Sequence, residues 1–482
     1  MTAARSTLDA IVIGAGPNGL AAALTLARAG RSVRIYEAAA SIGGGMRTEA
    51  LTLPGFRHDV CSSIVPLALA SPFFRTVDWN ALGVEFIQPD APLAHALDER
   101  RAVVLERSFT ATAANLDADR RTDDGTAWRR LFGPLARDEA KLGRELLRPV
   151  VHLPRHPLAL ARFGLPALRS ATGLARSRFR GDAARALFVG LAAHSMLRLD
   201  RPMTAAFGLV LGSYAHAVGW PMVRGGTVAI ADALGAEVRR LGGGIVTGVR
   251  IGSLTDLPES RVVILDTTPR AAVEIAGDRL PPKTRQRYEA FRYGPGVFKV
   301  DWALSGPVPW TAEGVGRAAT VHLGGTMDEL LRSERQVATG RPPDRPFTLF
   351  AQYAAWDPTR APAGQHTAWA YCHVPAGSTV DMTERIEAQI ERVAPGFRDL
   401  ILARATHGPA ELERHDPNYV GGDINAGVSD IRQLVFRPTR GLDPYHAGDG
   451  LYLCSSSTPP GGGVHGMGGY LAARSALRRD LR

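Results

Sequence analysis

The sequence predicts an α/β protein in which a doubly wound domain is assembled from separated segments and interrupted by an inserted α+β domain. Three observations predict it. Residues 9–37 read as strand, glycine turn, helix and second strand; short apolar runs return near 244–265; and a strand, a glycine-rich loop and a helix close the chain after Gly450. With 482 residues, 45% of them hydrophobic and 22% charged, the chain has the composition of a globular protein with more than one domain.

The first element is the most specific. In DAIVIGAGPNGLAAALTLARAGRSVRIYE (9–37), Gly14, Gly16 and Gly19 follow an apolar strand and open an Ala- and Leu-rich helix that begins at Pro17. Gly14 suits a tight turn, Gly16 lets a pyrophosphate approach backbone at a helix N-terminus, and Gly19 lets helix and strand pack closely. Glu37 ends the second strand, placed to accept hydrogen bonds from a ribose. These features define a Rossmann-type dinucleotide fingerprint. Gly43 and Gly44, six residues past Glu37 and followed by Gly45 and Arg47, resemble the glycine doublet of FAD-binding proteins of the glutathione reductase and amine oxidase type.

Residues 76–219 read as helical segments with Arg-rich turns, a lid over an inserted domain. A Pro and Gly-Gly turn at 219–226 then starts an amphipathic helix, and GGGIVTGVRI and RVVILDTTP return to the nucleotide-binding sheet. Segments 297–304, 318–323 and 367–374 alternate like half-buried strands of a mostly antiparallel sheet, and 381–394 forms an amphipathic helix. The expected division is therefore 1–75, 220–290 and 445–482 for the nucleotide-binding domain, with 76–219 and 291–444 for the substrate domain and its lid.

The last strong signal is GLYLCSSSTPPGGGVHGMGG (450–469). Backbone N–H groups at the start of the final helix favour negative charge in front of them. Together with the fingerprint, LPGFRHDV at 53–60, GWPMVRGG at 219–226 and PNYVGGDINAG at 417–427, this segment resembles the phytoene desaturase-like FAD oxidoreductases. The nearer branch is that of the pyridine nucleotide-disulfide oxidoreductase domain proteins. The resemblance implies noncovalent FAD and an apolar, often polyene or lipid, substrate that is desaturated, saturated, oxidised or isomerised. It implies that Gly14, Gly16, Pro17, Gly19, Glu37, Gly43, Gly44 and Arg47 hold the ADP half and that Ile251 contacts adenine. The 461–467 loop, with Gly462, Gly463, Val464, Gly466 and Met467, would face the isoalloxazine. Two departures set the chain apart from carotenoid desaturases: Gly45 stands where they carry Arg, and Cys454-Ser-Ser-Ser-Thr458 replaces their Gly-Ala-Gly-Thr.

His465 lies inside that loop, where an imidazole could move the proton that accompanies hydride transfer or simply bond neighbouring backbone. Lys299 and Asp301 share one face of a strand and suit either a surface ion pair, the more ordinary reading, or a cavity wall. His322, His366 and His373 are further cavity candidates, and none shows metal-ligand spacing, so no metal is expected. Cys61, Cys372 and Cys454 are widely separated, without disulfide or zinc spacing, and the apolar run at 10–13 is too short for a signal peptide. A cytoplasmic protein is expected.

The net charge of +10 would suggest nucleic acid, yet only Lys141, Lys283 and Lys299 are lysines among 57 basic residues, and no nucleic-acid motif accompanies them. The charge has a local feature instead. Arg148, Arg155, Arg162, Arg169 and Arg176 recur every seven residues in a stretch, 146–181, without Asp or Glu. Such a segment suits either a solvated lid face or peripheral contact with anionic lipid, and Pro154, Pro157 and Pro166 forbid one continuous helix. The function expected is hydride transfer between an apolar substrate and FAD, with an unidentified electron acceptor. Its rivals are a flavin-dependent double-bond isomerase and a non-catalytic FAD protein.

Overall fold

A computed structural model describes residues 7–118 and 122–482; residues 1–6 of the first expected segment lie outside it. The glycine turn follows Leu8–Ile13, a strand apolar but for Asp9 near its start, which pairs in parallel with Val33–Tyr36 on one side and Ser260–Leu265 on the other. A six-stranded sheet results, in the order His446–Gly448, Leu451–Leu453, Ser260–Leu265, Leu8–Ile13, Val33–Tyr36 and Gly244–Val246. Only the first strand runs antiparallel to its neighbour. Helices Pro17–Arg28, Val228–Arg240 and Met467–Arg479 bury one face of this sheet through Leu20, Leu24, Leu234 and Ala472, while Pro269–Ala276 and Pro282–Glu289 cover the other through Ile275 and Tyr288. Helices on both faces of a mainly parallel sheet make the domain doubly wound.

The second sheet has seven strands in the order Ile401–His407, Gly296–Leu304, His366–Val374, Thr348–Gln352, Ala318–Leu323, Ala91–Ala96 and Ala102–Leu105. All pairs are antiparallel except Ala318–Leu323 with Ala91–Ala96. The two strands at 91–105 correct the all-helical reading of 76–219. Ala91–Ala96 is buried along its whole length, so its sequence carries no alternation to betray it. One face of the sheet packs on helix Thr383–Glu391 through Trp302, Phe350, Ile386 and Phe397. The other meets helices Asp124–Arg137, Asp182–Ala193 and Thr204–Ala217 of the lid. The helix expected over 381–394 is shorter, since Asp381 accepts a hydrogen bond from the Thr383 N–H just outside its start and Pro395 follows its end.

Candidate functional site

A continuous cleft runs along the carboxyl ends of the parallel strands. At one end it is lined by Gly14, Tyr36, Glu37, Val249, Ile251 and Ile275; in the middle by Gly16, Gly44, Asp266, Asp416 and Asn418; and at the other end by Pro17, Cys61, Tyr419, Ile424, Ser455, Ser456, Gly463 and Val464. Glycine is required at several of these points. Gly14 has a φ of +98°, and a Cβ there would lie 2.8 Å from the Asp266 carbonyl oxygen. A Cβ on Gly19 would overlap the Gly14 carbonyl oxygen, which is the close helix–strand approach the fingerprint calls for. A Cβ on Gly44, itself at φ +54°, would come within 3.1 Å of the Gly16 Cα, so two backbones face each other across the cleft without side chains between them.

Glu37 is positioned from both ends: its carboxylate accepts hydrogen bonds from the N–H of Ala15 (2.7 Å) and of Ala39 (2.8 Å). Arg47 donates to the Gly44 carbonyl and, across the cleft, to the His415 carbonyl, both at 3.0 Å, tying the glycine doublet to the 415–418 segment. The Gly45 departure has a steric cause, since any Cβ there would strike the Tyr419 hydroxyl.

Asp266 was not legible as a site residue, although it ends the strand in RVVILD. Its carboxylate accepts a hydrogen bond from the Gly19 N–H at 2.7 Å and borders Gly16, and burial pushes its pKa up to about 7 against that bond. Asn418 comes from the 417–427 segment, and Asp416 immediately precedes it; the sequence displays that motif without showing what it faces. Burial also raises the Asp416 carboxyl, helped by the negative charge of Glu37.

The C-terminal loop divides its labour differently from expectation. Gly463 and Val464 line the cleft, whereas Gly462 packs on Asn425, Gly466 turns at φ +64° against Ala21, Phe73 and Phe74, and the Met467 side chain enters the core. His465 is buried: its Nδ1 accepts the Met467 N–H and its Nε2 donates to the Gly461 carbonyl, both at 3.1 Å. Burial lowers its pKa to about 4. Of the two readings of His465, proton carrier or partner of neighbouring backbone, the geometry matches the second: both ring nitrogens bond the backbone of their own loop.

Lys299 and Asp301 correct a second expectation. They form no surface pair; they are 2% and 0% exposed, with Lys299 Nζ donating to both Asp301 oxygens. His58 Nδ1 and His407 Nδ1 approach the same carboxylate at 3.6 and 3.8 Å, and the Lys299 ammonium sits 5.3 Å from the Trp369 ring centre. Burial raises the Asp301 pKa to about 6 and lowers that of His58 to about 3. Strand register places Tyr371 beside Lys299 and Trp369 beside Asp301, and these two rings stack. Of the other histidines, His322 is buried against His194 (Nε2 to Nε2, 3.2 Å), His373 bonds Glu334 at 2.9 Å, and His366 lies half-buried at its strand end. Among the described residues no group of histidine, cysteine or acidic side chains has metal-binding geometry.

Comparison with known proteins bears on the fold. Residues 12–76 match the NAD(P)-binding Rossmann-like domain family. The chain is 28% identical to mouse pyridine nucleotide-disulfide oxidoreductase domain-containing protein 2 over 98% of its own length and 94% of that protein. Its fold matches an oxidoreductase from Methanosarcina mazei (TM-score 0.62, 16% identity, 98% of this chain and all of that one). It also matches wild-type putrescine oxidase bound to putrescine (TM-score 0.63, 18% identity, 98% and 99% covered). The chain is thus a Rossmann-domain α/β protein with the fold of these oxidoreductases, similar over nearly its whole length to pyridine nucleotide-disulfide oxidoreductase domain-containing protein 2.

Proposed function

We propose that the protein is an FAD-dependent oxidoreductase that moves a hydride between a C–C or C–X bond of an apolar substrate and the flavin. The observation that carries this reading is the continuity of the cleft. It passes from the Glu37 end, through the glycines of the pyrophosphate turn, to a second chamber walled by Cys61, Tyr419, Ser455 and Val464. The residues fit FAD: a side chain on Gly14, Gly16 or Gly44 would meet Asp266 or facing backbone, and Glu37 and Ile251 flank the end where an adenosine would lie. FAD held there would supply a two-electron acceptor for hydride, its electrons leaving to oxygen, a quinone or another acceptor.

The chain's own residues do the rest. Tyr419, Met196, Val297 and Leu412 form a buried apolar cluster at the second chamber that keeps water from it, with Cys61, Tyr371 and Ile424 packed alongside. Lys299 Nζ donates to both Asp301 oxygens near that wall, and Asp301 thereby fixes its direction. An amine substrate, as in the putrescine-bound neighbour, is the second reading. The nearby carboxylates favour the first, since Asp301 is taken by Lys299 and Asp416 by the Asn418 N–H.

The test is to purify the protein, release its cofactor by heat and identify it, then repeat with Gly16→Val. Wild type should release stoichiometric FAD and the variant almost none. Stoichiometric retention by the variant would overturn the assignment of the turn. Anaerobic lipid extract should bleach the oxidised flavin; product formation without bleaching would make the protein an isomerase, and neither would leave a non-catalytic flavoprotein.

A further inference from the structure

The lid carries an exposed apolar surface. Helix Pro157–Ala167 has two apolar faces: Ala159, Phe163 and Ala167 point inward to the core shared with helix Thr204–Ala217, while Leu158, Ala161, Leu165 and, just past its end, Leu168 line the outer face. That outer spacing of three, four and three residues is a continuous stripe. Leu158 is 75% exposed and Leu165 73%, and the preceding loop adds Val150, Val151 and Leu153, the last 90% exposed. The platform is fixed in place. Buried Glu145 accepts hydrogen bonds from His152 Nε2 (2.6 Å) and from the N–H groups of Arg155 and His156 (both 2.9 Å).

The arginines do not stack along one helix, because Arg148 and Arg155 lie in the loop, Arg169 between helices and Arg176 in helix Ala171–Arg178. They surround the leucines instead. Arg155, Arg162, Arg169, Arg176 and Arg178 are exposed, and 146–181 contains no acidic residue. Arg162 reaches Asp138 at 3.3 Å and Arg176 reaches Asp328 at 3.8 Å; the guanidinium groups of Arg155 and Arg178 form no ion pair within 4 Å among the described residues. No helix among the described residues is long and apolar enough to cross a membrane.

We propose that this face docks on the surface of an anionic lipid bilayer, with Leu153, Leu158, Leu165 and Leu168 entering the headgroup–acyl boundary and the arginines reaching lipid phosphates. A second copy of the chain fits less well. A two-fold contact sets the same patch against itself, bringing these arginines together with no acid from 146–181 to separate them.

The experiment is cosedimentation of the full-length protein with vesicles of phosphatidylcholine alone and of phosphatidylcholine with one part in three phosphatidylglycerol, at low and high salt. Wild type should bind the anionic vesicles and release them as salt screens the attraction. Leu158→Asp/Leu165→Asp, at exposed positions, should melt like wild type yet partition roughly a hundred-fold less. Arg155→Gln and Arg178→Gln should each weaken partitioning about five-fold at low salt. Absence of binding to anionic vesicles, or wild-type binding by the double leucine variant, would overturn the proposal. So would a wild-type dimer that the double variant converts to monomer without any vesicle binding, which would assign the patch to a second copy.

Discussion

Two walls of the molecule, the dinucleotide cleft and the lid-facing side of the seven-stranded sheet, are built in opposite ways. The dinucleotide cleft is made of backbone, with glycines at 14, 16, 19 and 44 whose missing side chains are its shape. The sheet wall carries polar side chains, with Lys299, Asp301, His95 and His322 buried and His407 partly exposed, supplied by strands far apart in sequence. A backbone wall tolerates changes of charge and not of volume; a wall of buried charges and imidazoles tolerates the reverse. The two should therefore respond to pH with opposite signs.

The largest expected effect is acid destabilisation of the sheet face. Burial holds His58 and His194 at pKa about 3, His95 and His407 at about 4, and His322 well below its usual value of 6.5. These groups stay neutral in the folded chain and charge on unfolding, so their stabilisation is present above pH 6.5 and is lost as pH falls toward the folded pKa values. Each contributes a slope of about 1.4 kcal/mol per pH unit in that window. Asp301, raised to about 6, opposes with one proton. Denaturant melts at pH 7, 6 and 5 should show several kcal/mol of lost stability; a flat profile would mean that these imidazoles are reached by water in solution.

Next in size is the ion pair itself. Asp301→Ala leaves the Lys299 ammonium buried beside Trp369 without its carboxylate, and breaking a buried pair in this way costs about 3–5 kcal/mol. Urea unfolding reads this directly. A loss below about 1 kcal/mol, the worth of an exposed pair, would show that Lys299 escapes to solvent.

Why one wall could be read from the chain and the other could not follows from these constructions. Gly14, Gly16, Gly19, Glu37 and the doublet at 43–44 are local: they all fall within residues 14–44, and a missing Cβ is visible in any sequence. Lys299 and Asp301 are also visible as strand neighbours, but their burial depends on His58 and His407, which arrive from 241 residues upstream and 106 residues downstream of them. His95 and His322 meet only because Ala91–Ala96 pairs in parallel with Ala318–Leu323, a crossover no local pattern announces. Asp266 and Asp416 fail for a related reason, being acids at a site whose ligand would carry phosphates. Only their burial, which raises both pKa values, makes them tolerable there.

The cleft should respond to pH in the other direction. Asp266, with a pKa about 7, is protonated as pH falls from 8 to 6, which removes a negative charge beside Gly16 where a pyrophosphate would approach. FAD affinity should rise by several-fold over that interval, and Asp266→Asn should abolish the dependence. Equal dissociation constants at pH 8 and 6 would show that Asp266 does not face the phosphates. Glu37→Ala removes the acceptor for the Ala15 and Ala39 N–H groups as well as a ribose partner. Loss of such charge-assisted bonds costs on the order of 1.5–3 kcal/mol, or roughly ten- to a hundred-fold in FAD affinity. Unchanged binding would place the ribose contact elsewhere.

The smallest effect is expected at His465, and it separates a proton carrier from a loop clasp. A general acid or base is worth roughly 10²–10⁴-fold in rate, so its removal would slow flavin reduction by that factor and erase a titration from the pH profile. The geometry argues for the clasp. The imidazole is buried at 1% exposure, its Nδ1 receives the Met467 N–H, its Nε2 gives its proton to Gly461, and a pKa about 4 keeps it neutral throughout the working range. Two neutral hydrogen bonds contribute about 0.5–1.5 kcal/mol each. His465→Gln can restore one of them, through its side-chain oxygen or its amide, but cannot span from Gly461 to Met467 as a ring does. The variant should therefore bind FAD only a few-fold more weakly, through a loosened Gly463-Val464 wall, and reduce at a near-normal rate per bound flavin with an unshifted pH profile. A rate loss of a hundred-fold or more at full FAD occupancy would break the contrast between the walls, because it would place a working side chain inside the one built of backbone.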